Sequence, residues 1–142
     1  MHAWKERGLR CGALLAAELV AAHIPAPSAD AITFVPPDDG RLLSRGHHPP
    51  ERLARALAPL WQLEVVPLLT RRGAGGRQAG LTRSERRVNI RGAFAARPEV
   101  PVAVVLVDDV YTTGATCAEA ASSLRAAGAR RVDVVTFARA VR

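Results

Sequence analysis

Cysteine is scarce in this chain: only Cys11 and Cys117 occur, far apart and without a CxxC pair. That spacing indicates neither a disulfide framework nor a zinc ribbon, and it makes a reducing cytoplasm the expected compartment. Aromatic residues are also few, 4% against 49% hydrophobic residues in total, so the core has to be built from Ala, Val and Leu. Such a core suits helices laid on a parallel sheet, whose strands read as short aliphatic runs. No stretch is long and apolar enough to span a bilayer, so no membrane partner is expected. The run CGALLAAELVAAHIPA, preceded by Lys5, Glu6, Arg7 and Arg10, has the outline of a signal peptide. Glu18 and His23 interrupt it, however, and an amphipathic helix is the better reading. Internal repeats and low-complexity segments are absent.

The chain of 142 residues is the length of a single domain and can bury one core without disulfides or metals. A single domain over residues 1–142 is therefore expected. Twenty Lys and Arg face 13 Asp and Glu, for a formal net charge of +7. Such a surplus is either a solvated arginine-rich surface or the mark of an anionic ligand, phosphate or nucleic acid. Charge alone does not separate these.

Periodicity predicts a helix over Lys5–Ala22, with Leu9, Leu15, Leu19 and Ala22 near one face. A strand follows at Ala31–Val35, ended by Pro36 and Pro37. A second helix begins near Pro49–Pro50, where proline fits the first turn, and runs to Trp61. LEVVPLL (Leu63–Leu69) reads as a second strand, with Pro67 placing it at an edge or strand end. From Thr70 to Arg91 the composition shifts to seven arginines, four glycines and one acid. That is too polar for a core and too long for an ordinary connection, so a flexible basic loop is expected at about 70–92. VPVAVVLVDD is the strongest strand, expected to be central and covered on both faces. ATCAEAASSLRAAGA reads as a helix stopped at Gly128, and RRVDVVTFA as the last strand. This alternation predicts an α/β fold with a mostly parallel central sheet flanked by helices and right-handed crossovers. Ligands in such sheets bind at the C-terminal strand ends.

VVLVDDVYTTGAT (Val104–Thr116) stands at one such end. The start of a helix exposes unpaired N–H groups and a positive dipole end, which together bind phosphate. Small residues allow close backbone approach, and threonine hydroxyls add donors. Two carboxylates immediately upstream would repel a phosphate, so they should face sugar hydroxyls or a hydrated Mg²⁺. The bland alternative is a strand end with a solvated acid pair and a threonine N-cap.

This segment resembles the phosphoribosyl diphosphate (PRPP) signature of type I phosphoribosyltransferases. The resemblance implies that Asp108 and Asp109 contact the ribose hydroxyls and that Thr112, Thr113, Gly114, Ala115 and Thr116 wrap the 5′-phosphate. RQAGLTRSERRVNIRGAF (Arg77–Phe94) looks like the arginine-rich segment of ComF-type proteins, a phosphoribosyltransferase-like branch associated with DNA uptake in competence. WKERGLR and FVPPDDGRLLSRGHHPPERLARAL resemble earlier blocks of that family, so the likeness covers nearly the whole chain. It implies PRPP or a nucleoside 5′-monophosphate as ligand, Mg²⁺ carried with it, and displacement at the anomeric carbon with pyrophosphate leaving. Cations aimed at the leaving group would stabilise such a transition state, and a glycine-bearing arginine loop could close over it. Arg77 is the expected catalytic cation there, with Arg71, Arg72, Arg83, Arg86 and Arg87 in the same basic loop.

The resemblance also implies that Pro36, Pro37, Arg41 and Arg45 belong to the pyrophosphate loop. The chain departs from the family there: His47–His48 replace a Phe–Asn pair, and Asp38 and Asp39 stand beside the expected anion. The adjacent histidines lack further metal-ligand spacing, so no zinc site is expected and no metal ligand is assigned. The cysteine-rich N-terminal module typical of ComF proteins is not expected in this chain. Trp4 and Trp61 read as packing residues, and Tyr111 either flanks the ribose or covers the loop. The main alternative to a transferase is a non-catalytic accessory protein binding single-stranded DNA through the arginine loop. A PRPP-sensing regulator has only the fold in its favour. A homo-oligomer is left open.

Overall fold

The computed structural model describes residues 2–37, 47–72 and 91–139, with side chains of the first helix from residue 12 onward. Among the described residues three helices, α1 (His2–His23), α2 (Pro49–Trp61) and α3 (Ala115–Ala126), are interspersed with five strands. These are β1 (Ala31–Phe34), β2 (Leu69–Arg71), β3 (Phe94–Ala96), β4 (Ala103–Tyr111) and β5 (Arg131–Arg139). A parallel sheet runs in the order β1-β4-β5, and β2 pairs antiparallel with β3 in a separate ladder. The α/β fold expected from the alternation of elements is present.

β4 is central, as its unbroken aliphatic run predicted. Val104, Val105, Leu106 and Val107 are all fully buried, each contributing about 1.5–3 kcal/mol of apolar transfer. Side chains alternate across the sheet. Val105 and Val107 pack with Ile32 and Phe34 against Ala17 of α1 and Leu57 and Trp61 of α2. Val104 and Leu106 pack against Ala120, Ala121 and Leu124 of α3 and Phe94 of β3. The sheet is thus covered on both faces by small and branched side chains, as the shortage of aromatics required. β5 is the outermost strand on its side among the described residues. Val134 and Phe137 are exposed on it, and an Arg131–Asp133 ion pair of 2.9 Å lies at its start.

The strand expected at Leu63–Leu69 is replaced by a single parallel bridge, Ile32 to Val65. The Ile32 N–H donates to the Glu64 carbonyl at 2.9 Å and the Val66 N–H to the Ile32 carbonyl at 2.9 Å. Pro67 then has no N–H to continue the ladder. The next donor, the Leu68 N–H, instead reaches the hydroxyl of buried Thr33 at 3.1 Å. The chain turns away into β2, whose partner β3 lies beyond the basic segment. Thr70 and Arg71 are therefore strand rather than loop, and the basic segment leaves and re-enters through a paired stem. Arg77, Arg83, Arg86 and Arg87 lie outside the described residues, as do Arg41 and Arg45.

Candidate functional site

β1 and β4 differ in length, and the site follows from that difference. β1 pairs with β4 only as far as Phe34 and Val107, and a last bond joins the Val35 N–H to the Val107 carbonyl at 3.0 Å. Pro36 and Pro37 come next and offer no donor. On its other side β4 stays paired with β5 through Tyr111 and Arg139. Asp108 and Asp109 are therefore not at the end of their strand, as expected from the sequence. They lie where one neighbour has stopped and the other continues.

The strand's pleat separates the two acids. Asp108 is buried on the α3 side, where its Oδ2 accepts the Cys117 thiol at 3.4 Å and its Oδ1 accepts the Asp109 N–H at 2.9 Å. Burial pushes the Asp108 carboxyl up to about 6, and the charge of Asp109 adds to that effect. Burial, and then the negative charge of Asp108, pushes the Cys117 thiol up to about 12. The thiol is therefore a hydrogen-bond donor at neutral pH and not a nucleophile. Asp109 is half-buried, and its Oδ1 accepts the Val110 N–H at 2.9 Å.

Gly114 carries the chain from β4 into α3. It adopts a left-handed φ of 73° as the helix N-cap, a conformation that disfavours any residue with a Cβ. No side chain caps the helix, so the threonine cap of the bland alternative does not form. The Thr113 hydroxyl accepts the Ala115 N–H only at 3.4 Å. Helix-start amides have no intrahelical acceptor, and here they lie beside a small recess of about 20 Å³. Asp108, Tyr111, Thr112, Gly114, Thr116 and Cys117 line it. Its volume is that of about one water molecule.

Several known proteins are similar to this chain in sequence or in fold. The DNA utilization protein YhgH of Salmonella typhi is 36% identical over 115 residues, which cover 76% of this chain and 48% of that protein. Competence protein F of Haemophilus influenzae is 42% identical over 67 residues, 44% of this chain and 29% of that one. The chain is a homologue of competence protein F on the phosphoribosyltransferase fold. It spans about half or less of the length of the curated relatives it matches. No family model matches it. In three dimensions the allosteric regulatory enzyme of purine biosynthesis superimposes with a TM-score of 0.64 at 23% identity, over 90% of this chain and 26% of that one. The glutamine PRPP amidotransferase of B. subtilis gives 0.59 at 25% identity, over 88% and 26%. Adenine phosphoribosyltransferase of Saccharomyces cerevisiae gives 0.52 at 19% identity, over 94% and 69%.

In this competence protein F homologue the structure gathers some sequence-derived candidates and not others. Asp108, Thr112, Gly114 and Thr116 meet at the recess, whereas Asp109 does not line it. Arg71 is spent on the hairpin: its guanidinium lies 5.0 Å from the centre of the Phe94 ring. Neither it nor Arg72 lines the recess. Two residues at this end of the sheet were noted in the sequence but given no role there. Cys117 directly follows the TTGAT turn, in the first turn of α3, and helical geometry there directs it back at Asp108. His48 packs edge-on against Phe34 at 5.5 Å and 3.8 Å from Glu51. Burial lowers its pKa, opposed by the charges of Glu51 and Asp109. Its place between β1 and α2 was the available signal.

Proposed function

We propose that this chain binds PRPP or a nucleoside 5′-monophosphate and transfers phosphoribose to or from a base or amine. The observation that carries this reading is the recess: an uncapped helix start with left-handed Gly114 at its lip, and an acid at its wall. The amides from Thr113 to Cys117 would take the 5′-phosphate. Asp108 and Asp109 would accept the ribose hydroxyls. A sugar held by these acids would present its anomeric carbon toward Pro36 and Pro37, where the leaving pyrophosphate would lie.

Mg²⁺ belongs to this reading as an ion carried by the diphosphate. Among the described residues no group of three or more His, Cys, Asp or Glu is placed to hold a metal. The cation would be coordinated mainly by phosphate oxygens and water, with at most one or two carboxylates. It would neutralise charge on the departing pyrophosphate.

A second reading has its own support. The relatives include proteins named for DNA utilization and competence, and the net charge of +7 suits an anionic polymer. On this reading the arginine segment contacts single-stranded DNA without turnover. Isothermal calorimetry with PRPP and MgCl₂ tests the first reading. Binding that Asp108→Ala or Asp109→Ala weakens at least tenfold supports it, and absence of heat with the wild-type chain sinks it. Single-stranded DNA affinity measured across salt tests the second, since phosphate contacts lose affinity steeply as salt rises. An affinity indifferent to salt removes it.

A further inference from the structure

We propose that Tyr111 is a gate on the phosphate turn: its ring closes the recess in the free chain and swings out when a phosphoryl group enters. The proposal rests on the phosphoribosyl reading and adds to it a conformational step. A Cβ built on Gly114 would stand 2.6 Å from Cζ and 2.8 Å from Cε2 of the Tyr111 ring, with the hydroxyl closer still. The ring therefore lies directly over the backbone of the turn. That is the surface a phosphate must approach to reach the helix-start amides. Gly114 is consequently constrained twice, by its left-handed backbone and by the side chain parked above it.

What holds the ring is weak. Tyr111 is 36% exposed. Its partner in register on β5 is Arg139, whose guanidinium lies 6.0 Å from the ring centre, at the outer limit of a cation–π contact. A ring closed by a short backbone approach and one distant cation can be displaced by a ligand making several charge-assisted hydrogen bonds. When the competent state is only partly populated, apparent affinity falls in proportion to its population. A gate closed most of the time therefore weakens ligand binding several-fold, and removing it restores that factor.

The chain has one tyrosine, so the gate can be watched directly. Full-length protein labelled with 3-fluorotyrosine gives a single ¹⁹F signal. The gate predicts a signal displaced from that of free fluorotyrosine in the unliganded protein, moved by Arg139→Ala, and moved again by PRPP with MgCl₂. By calorimetry Tyr111→Ala is expected to bind PRPP about 5-fold tighter, while Tyr111→Phe, which keeps the ring, binds like wild type. Weaker binding by Tyr111→Ala overturns the gate, since the ring would then be a ligand contact. So does a ¹⁹F signal already at the free position, or one unmoved while calorimetry records binding; these outcomes leave the phosphoribosyl reading intact. If neither wild type nor Tyr111→Ala binds PRPP, the phosphoribosyl reading fails and takes the gate with it.

Discussion

Asp108 is a charge the fold keeps at a cost, and its size can be measured. Asp108 as a residue is 9% exposed, and burial lifts its carboxyl from 3.8 to about 6. At about 1.4 kcal/mol per pH unit, the ionised form is about 3 kcal/mol less favourable in the folded chain than in the unfolded one. The sign follows from proton linkage. The folded state holds this proton more tightly, so the associated stability is fully present below pH 3.8 and is lost as pH rises through about 6. At pH 7.5 the whole cost is borne. Asp108→Asn removes the charge and keeps an acceptor for the Asp109 N–H. We therefore expect the variant to be about 2–3 kcal/mol more stable at pH 7.5, a melting temperature about 5–10 °C higher for a chain of this size. At pH 4 the two melting curves should nearly coincide, because Asp108 is then protonated in the folded wild type. Thermal unfolding of both proteins from pH 4 to 7.5 checks this. A difference that stays constant with pH, or wild type melting higher at pH 7.5, would refute the argument. A stabilising substitution at a residue needed for binding would also mark Asp108 as retained for function rather than for folding.

Two further outcomes follow from the backbone. Gly114→Ala should cost clearly more stability than Gly92→Ala, as read by urea unfolding. Both glycines have a left-handed φ, worth about 1–2 kcal/mol, but only Gly114 also meets the Tyr111 ring. Thr33→Val should destabilise by about 1–3 kcal/mol, because it strands the buried Leu68 N–H that the hydroxyl now accepts at 3.1 Å; an unchanged midpoint would show that this bond is dispensable.

The sequence made the centre of the fold readable and its turnings obscure, for physical reasons. β4 announced itself because a strand covered on both faces must be aliphatic throughout, and Val104–Val107 have no polar interruption. The turn into α3 was legible because Gly114 and its threonines have few other uses in that position. The β2–β3 ladder was not, since Phe94–Ala96 are three residues, two of them alanine, paired across the whole basic segment. Pro67 was read correctly as an obstacle, but its effect, handing the next amide to a threonine hydroxyl, depends on Thr33 lying opposite. The separation of Asp108 from Asp109 required knowing that β5 outlasts β1, a matter of three-dimensional register that no local pattern contains.

Among the described residues no strand lies beyond β5, and that margin bears on how this chain meets others. An outermost strand offers its spare amides and carbonyls to any extended peptide, and exposed Val134 and Phe137 would reward such an addition. Arg131, Asp133 and Arg139 punctuate the same strand with charges of both signs, one pair locked to each other at 2.9 Å. Charges set along a margin penalise the docking of another strand, so this protein carries its own deterrent against zipping into a continuous ribbon.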